Sequence, residues 1–353
     1  MQAKSINTLS SLSNSVREEV IIKMLQLIKE SYVFPKIADE IEHYIQRKLN
    51  ENEYEKIIDP TKFSQIITSD LQEISKDKHL GLKFLQVPMG QSEVDKKKEI
   101  EHRKRLLSLF NYGFDKVERL PGNIGYHKTI KFFEPEIAGD VAVASLNYLA
   151  NTSAIIFDLR DNTGGTSGMV ALIISYLFDK RVHLNNFHWR KDNRIEQIWT
   201  NSHIQGTSLK DKDVFILTSK RTFSGAEDFS YSLQVLNRAT VIGERTKGGA
   251  HPGGFQKIND HFAVNIPIGR AVNPTTNDNW EGKGVMPDIE VPEQDALVVA
   301  QYIIINKLLD ESPDKDIMGA NWLSLKEKLE LELSDKKINT EELINPQAIS
   351  LND

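Results

Sequence analysis

The sequence contains no cysteine among its 353 residues. This absence excludes disulfide bonds, thiolate metal ligands and a cysteine nucleophile, and it leaves the redox environment undecided. No apolar run approaches the roughly 20 residues that a membrane-spanning helix needs. The polar start, residues 1–5 (MQAKS), is not followed by the apolar core of a signal peptide. The compartment therefore stays open: the sequence fits a cytoplasmic protein, or an exported one whose signal has been removed.

The sequence also has no excess of positively charged residues. The formal net charge is −6, which does not suggest a nucleic-acid partner. Gly164-Gly165 has neither the Walker spacing nor the three-glycine dinucleotide pattern. His251 and His261 lack metal-ligand spacing with acidic neighbours. We therefore expect no cofactor and no metal, and the oligomeric state is left undetermined.

The pattern of apolar residues predicts three segments. Helical spacing with breaks near Pro35 and Pro60 predicts a small helical N-terminal domain over residues 1–77. Strands alternate with helices from about residue 124 to 243, which predicts an α/β core with a mainly parallel sheet over residues 78–305. Residues 255–273 are predicted to be antiparallel strands, and residues 306–353 a C-terminal helical tail. Residues 91–107 are predicted to be a charged helical connector, with Leu106, Leu107 and Leu109 as its apolar face.

The apolar run Val214–Leu217 predicts a short buried strand, and a helical pattern begins after Gly225. Ser224 is therefore expected at a strand-to-helix turn, where the first helical N–H groups have no partner within the helix. Serine is a favoured N-cap residue, so an ordinary structural role is open. A nucleophile whose oxyanion is stabilised by the next backbone N–H is the other interpretation.

A second glycine turn follows the predicted strand at residues 154–159. If that strand is adjacent to the one before Ser224, both turns emerge at the same edge of the sheet. The N–H groups of Gly165 and Gly225 could then form an oxyanion hole, although a tight turn alone would also explain Gly164-Gly165.

A serine nucleophile requires a base. Lys247 lies near a glycine turn, but an exposed loop lysine is the ordinary case. His79 begins a predicted strand and would be unremarkable alone. Glu281 would fix the tautomer of His79 if the two side chains met, whereas otherwise it is a surface acid.

Four motifs together resemble the core of the C-terminal processing peptidase family, which includes tail-specific proteases, the tricorn core and interphotoreceptor retinoid-binding protein. They are residues 158–165 (DLRDNTGG), 222–227 (TFSGAE), 243–246 (GERT) and 284–288 (GVMPD). The resemblance covers roughly residues 16–305. It implies a core of ClpP/crotonase type, a peptide or unfolded polypeptide as substrate, and Ser224 as the nucleophile.

The sequence departs from the family members that use a serine–lysine dyad. Their lysine position is occupied here by Gly249, and Lys247 lies two residues earlier. Too few residues separate Phe84 from Gly122 for the PDZ domain that those members carry. Both departures point to the subgroup similar to tricorn, in which a histidine after the helical segment is the base.

His79 and Glu281 stand at the positions that this resemblance assigns to the base and its supporting acid. Lys78 replaces the serine that precedes the histidine in tricorn. The sequence thus predicts a serine peptidase that uses Ser224, His79 and Glu281. A Ser224–Lys247 dyad is the mechanistic alternative, and a non-catalytic carrier of retinoids or other apolar ligands on the same scaffold is the functional one.

Overall fold

The structure is a computed structural model, and it describes residues 11–86 and 93–344. The helices are α1 Asn14–Ser31, α2 Pro35–Asn50, α3 Pro60–Ser75, α4 Glu93–Leu109, α5 Pro135–Tyr148, α6 Ser167–Ser175, α7 Gly225–Val235, α8 Ala296–Glu311, α9 Lys315–Asp335 and α10 Thr340–Ile344. The strands are β1 Gly81–Phe84, β2 Phe114–Leu120, β3 Ile124–Thr129, β4 Ala154–Asp158, β5 His183–Trp189, β6 Arg194–Trp199, β7 Asp213–Thr218, β8 Thr240–Gly243, β9 Gly253–Lys257, β10 Phe262–Pro267, β11 Gly269–Val272 and β12 Ile289–Glu290.

Helices α1 to α3 form the predicted N-terminal helical region. The Asp59 side chain caps α3 by accepting the Lys62 N–H, and Pro60 occupies the first turn. The helix ends at Lys76, which adopts the left-handed conformation with φ 56°. This ending turns the chain directly into residues 77–79 and then into β1, so α3 fixes where the His79 backbone lies.

The central sheet has the strand order β12-β8-β7-β4-β3-β2. All neighbours are parallel except β2 and β3. Strands β4 and β7 lie in the middle and are almost entirely buried, which explains their continuous apolar sequences. The mixed α/β fold with a mainly parallel sheet is confirmed.

Two three-stranded antiparallel sheets lie outside this central sheet, with the orders β1-β10-β9 and β11-β5-β6. They contain the antiparallel strands predicted over residues 255–273. Strand β10 pairs with β1 from Gly81↔Asn265 to Phe84↔Phe262. This pairing holds the segment around residue 251 near the end of the helical region, although about 170 residues separate them in sequence.

The predicted charged connector is helical, as α4. Its expected apolar face is not buried, however, because Leu106 and Leu109 are 44% and 73% exposed. At the other end of the chain, α8 packs on β7 and β8 and also against α9.

The division into segments 1–77, 78–305 and 306–353 stays a prediction, and residues 1–10, 87–92 and 345–353 lie outside the described residues. Among the described helices, none combines the length and apolar character required to cross a bilayer.

Candidate active site

Ser224 lies immediately before α7, in the turn that follows β7. Its backbone has φ 55° and ψ −120°, whereas an ordinary N-cap residue lies in the β region. A non-glycine residue in such a sparsely populated conformation costs on the order of 1–3 kcal/mol. A strained serine between a strand and a helix is the geometry of a nucleophile elbow, in which the hydroxyl is presented at the edge of the sheet.

The buried carboxylate of Glu227 holds this turn in place. It accepts hydrogen bonds from the Ser224 N–H at 2.8 Å, the Thr246 hydroxyl at 2.5 Å, and the N–H groups of Gly248 and Gly249 at 2.6 and 2.9 Å. Burial raises the pKa of Glu227 to about 7, and these four donors oppose the rise. Glu227 therefore ties the serine turn to the glycine segment that follows β8.

The two glycine turns are in direct contact. Because β4 and β7 are adjacent and parallel, both turns emerge at one edge of the sheet. A Cβ built on Gly225 would lie 2.9 Å from the nitrogen of Gly165, and one on Gly165 would lie 1.8 Å from the carbonyl oxygen of Phe132. Neither the Gly165 N–H nor the Gly225 N–H donates to another of the described residues. Both amides are thus available to an incoming oxyanion.

The ring of His79 stacks on the ring of Phe223, with centroids 4.4 Å apart. The His79 backbone is fixed by its N–H, which donates to Asp77 at 2.9 Å, and by its carbonyl, which accepts from Asn265 at 2.7 Å. Burial lowers the pKa of His79 to about 4; the Asp77 carboxylate opposes this effect, and nearby His251, Lys247 and Lys131 add to it. His79 is therefore a neutral imidazole near pH 7, the form that accepts a proton.

Two carboxylates and a second imidazole surround His79. Nδ1 of His251 lies 2.8 Å from Asp77 Oδ2 and 3.4 Å from Glu281 Oε2. Nδ1 of His79 lies 3.9 Å from Asp77 Oδ1. Both His79 Nδ1 and Glu281 Oε1 are buried without a hydrogen-bond partner in the structure. Burial, with Asp77 nearby, raises the pKa of Glu281, while His251 and the Ala250 N–H oppose the rise.

The size of this cluster would admit a cation, because one ligand atom each from Asp77, His79 and Glu281 lie within 4.8 Å of one another. The oxygens of Asp77 are already engaged, however, by the Tyr32 hydroxyl, the His79 N–H and the His251 ring. A metal would have to displace these donors, so the residues fit a hydrogen-bonded network better than a metal centre.

Lys247, the alternative base, lies on the surface. The Lys247 side chain is exposed, and its Nζ lies 4.8 Å from the centroid of the Phe223 ring. The Lys78 ammonium donates to the backbone carbonyl of Lys247. Lys78 therefore contacts the surface loop that contains Lys247.

A cavity of about 310 Å³ opens beside Ser224. Its lining includes both glycines of the candidate oxyanion hole together with Ser224, His251, Asp228 and Trp280.

Asp77, Glu227 and His251 were not among the site residues predicted from sequence. Glu227 had a sequence signal, since the pattern of Ser224 followed three residues later by Glu227 is that of a capping box. Asp77 and His251 come together only through the pairing of β1 with β10, which local patterns do not reveal.

Two family profiles match the chain. Residues 123–291 match the profile described as peptidase family S41, and residues 2–108 match that of the N-terminal domain of this family in eukaryotic IRBP. A probable CtpA-like serine protease of Staphylococcus aureus (strain N315) is 24% identical over 250 residues, which are 70% of this chain and 48% of the relative. The chloroplastic carboxyl-terminal-processing peptidase 1 of Arabidopsis thaliana is 25% identical over 211 residues, 58% of this chain and 41% of the relative.

This chain therefore spans less than half the length of these curated relatives. Among solved structures, a putative peptidase from Parabacteroides merdae has a TM-score of 0.53 at 19% identity, over 78% of this chain and 90% of that one. The structural likeness shows a shared fold, and the two sequence profiles occupy the helical region and the α/β core in the order that the motifs predict. The chain belongs to peptidase family S41, the family of the C-terminal processing peptidases.

Proposed function

We propose that the protein is a serine peptidase that hydrolyses peptide bonds in unfolded or extended polypeptides. The observation that carries the proposal is the strained backbone of Ser224 beside two glycine amides without acceptors among the described residues. A structural N-cap would need neither the strain nor the second turn. A hydroxyl nucleophile with a preorganised oxyanion site needs both.

In the proposed reaction, Oγ of Ser224 attacks the substrate carbonyl carbon while a ring nitrogen of His79 takes the hydroxyl proton. The N–H groups of Gly165 and Gly225 donate to the oxyanion of the tetrahedral intermediate. The C–N bond then breaks, and His79 delivers its proton to the leaving amine. Water hydrolyses the acyl-enzyme by the same steps, with His79 again as the base.

Glu281 is proposed to orient His79. Because His79 Nδ1 and Glu281 Oε1 are both buried and both lack a partner in the structure, a hydrogen bond between them would satisfy each group. The resulting carboxylate–imidazole pair would hold the tautomer and stabilise the imidazolium that forms during attack. Asp77 is 3.9 Å from the same nitrogen and adds to this stabilisation.

An extended substrate is supported by strand β9. This strand is at the edge of its sheet, is largely exposed, and begins at Gly253, which lines the cavity beside Ser224. A free strand edge can pair with an extended peptide through backbone hydrogen bonds, and this pairing would deliver the scissile bond to Ser224. The carrier alternative receives less support, because binding of an apolar ligand would require neither the strained Ser224 turn nor the two glycine amides beside it.

A fluorophosphonate probe tests the proposal directly. We expect covalent labelling at Ser224, and we expect the Ser224→Ala variant to lose both labelling and peptidase activity while its circular dichroism spectrum is unchanged. Undiminished cleavage by Ser224→Ala would refute the assignment. Absence of labelling combined with stoichiometric retinol binding would favour the carrier.

A further inference from the structure

The cavity beside Ser224 has aromatic and aliphatic walls. Phe187 and Trp280 are almost completely buried, and Trp189 packs against them in the same cluster as Ala250. Trp280 is fixed by its indole N–H, which donates to the carbonyl of Gly249 at 2.7 Å. Walls of this kind and a volume of about 310 Å³ suit one long or bulky side chain of a bound peptide.

One wall of this cavity carries a carboxylate. Asp228 lies one helical turn after Ser224 on α7 and is only 4% exposed. Its Oδ1 accepts from the Asn185 amide at 2.9 Å and from the Ser232 hydroxyl at 3.3 Å, and both donors are neutral. Over the described residues, no cation pairs with Asp228 and no donor reaches its Oδ2. A buried carboxylate without a cation is costly unless a partner arrives from outside.

The other charges around the cavity do not compensate Asp228. Glu196 also lines it, and this carboxylate is engaged by the Arg194 guanidinium at 3.0 Å and the Trp189 indole at 2.9 Å. No lysine or arginine is among the residues that line the cavity. Burial raises the pKa of Asp228 to about 6, as expected for a carboxyl that lacks a positive neighbour.

We propose that this cavity binds a lysine or arginine side chain of the substrate, with the apolar stem against Phe187 and Trp280 and the terminal cation on Asp228. This inference rests on the proposed function and deepens it, because Ser224 and both oxyanion-hole glycines line the same cavity. The bound residue would be the one on the acyl side of the scissile bond. A cation there would complete a charge-assisted hydrogen bond that the protein alone leaves unformed.

The test compares fluorogenic peptides that differ only at this residue: lysine, arginine or norleucine, which keeps the stem and lacks the charge. For the wild-type chain we expect kcat/KM to be roughly 10- to 100-fold higher for lysine or arginine than for norleucine, the range expected for one charged hydrogen bond. Asp228→Asn should abolish this preference and still cleave the norleucine peptide. Asp140→Asn, a matched change at an exposed position of α5, should retain it.

A binding measurement separates the two proposals. Benzamidine, a flat apolar stem with a cationic end, should bind the full chain and its Ser224→Ala variant equally, and should bind Asp228→Asn at least tenfold more weakly by calorimetry. If no peptide is cleaved but benzamidine binding depends on Asp228, the cation site stands and the peptidase assignment fails. If peptides are cleaved without preference for a cation, or if Asp228→Asn leaves the preference intact, the cation site is refuted while the peptidase assignment stands.

Discussion

The ring of His79 lies 4.4 Å from the ring of Phe223, centroid to centroid, and the two rings fill the space above Gly249. A Cβ built on Gly249 would lie 2.2 Å from the Phe223 ring and 2.8 Å from Cε1 of His79. Position 249 is where members of this family with a serine–lysine dyad carry their lysine. The stacked rings leave no room for a side chain at position 249. The imidazole of His79 therefore lies where the side chain of a lysine at that position would extend.

This arrangement gives a first prediction about the base. His79→Ala should lower kcat/KM by roughly 10³- to 10⁵-fold, the usual cost of losing one member of a catalytic triad. Lys247→Ala should change it by less than about threefold, because the amine is exposed and its loss resembles an ordinary surface substitution. A fluorogenic peptide assay on both variants provides the comparison.

Two other results would reassign the base. Retained activity in His79→Ala with lost activity in Lys247→Ala would indicate the serine–lysine dyad. Retained activity in both His79→Ala and Lys247→Ala with lost activity in His251→Ala would indicate His251, whose Nδ1 is already held by Asp77 and which lines the cavity with Ser224. Circular dichroism melts of all three variants would separate these results from a loss of folding.

The pH dependence of kcat/KM is a second prediction. Since burial lowers the pKa of His79 to about 4, the base remains neutral down to that pH and the acid limb should lie near pH 4. With the norleucine peptide, whose binding does not depend on the charge of Asp228, the activity at pH 5.5 should exceed half of its maximum, whereas a base with the ordinary histidine pKa of about 6.5 would retain roughly a tenth.

The lowered pKa of His79 also makes the free energy of unfolding depend on pH. The unfolded chain binds the His79 proton below about pH 6.5, and the folded chain does so only near pH 4. The contribution of His79 to the free energy of unfolding is therefore intact above pH 6.5 and is lost as the pH falls towards 4. NMR titration of the His79 ring should show a neutral imidazole at pH 5.5; a midpoint near 6.5 would contradict the geometry described for this site.

A third prediction concerns Gly249. Gly249→Ala should displace the rings of Phe223 and His79, because the new Cβ would overlap both. We expect a loss of at least tenfold in kcat with KM less affected, since the change acts on the position of the base. Gly139→Ala, on α5, is the matched control, because a Cβ there would meet no atom closer than 3.7 Å. Equal activity of the two variants would show that the ring stack does not position the base.

Much of the fold could be predicted from local patterns. The apolar sequences of β4 and β7 identified buried central strands, and their adjacency brings the turns at Gly165 and Ser224 together as expected. The apolar face expected on α4 is not buried, because leucines at helical spacing show that a helix can form and do not show that a partner covers them.

The network behind the site could not be predicted in the same way. Asp77 and His251 are 174 positions apart, and their 2.8 Å contact depends on the register of β1 against β10. Glu227 sits three residues after Ser224, yet its four donors come from two separate segments. Short motifs point to the candidate site residues, whereas the groups that hold those residues are assembled by tertiary pairing.

The Glu227 network gives a fourth prediction. Glu227→Gln replaces one acceptor oxygen by an NH₂ group that faces existing donors, so at least one buried N–H loses its acceptor. The free energy of unfolding should fall by about 1–3 kcal/mol for each donor left unpaired. Urea unfolding measures this change, with the exposed Glu327→Gln as the matched control. A Glu227→Gln protein as stable as the control would mean that Glu227 is protonated and tolerates the amide.

The strained backbone of Ser224 gives a fifth prediction, in which two inactive variants are compared. Ser224→Ala keeps a Cβ at φ 55°, whereas Ser224→Gly removes it and relieves a conformation that costs about 1–3 kcal/mol. Glycine also increases the entropy of the unfolded chain, which offsets roughly 0.5–1 kcal/mol of this gain. We therefore expect Ser224→Gly to have the higher melting temperature of the pair. A lower melting temperature for Ser224→Gly would show that the serine turn is unstrained, and the main argument against an ordinary helix cap would be lost.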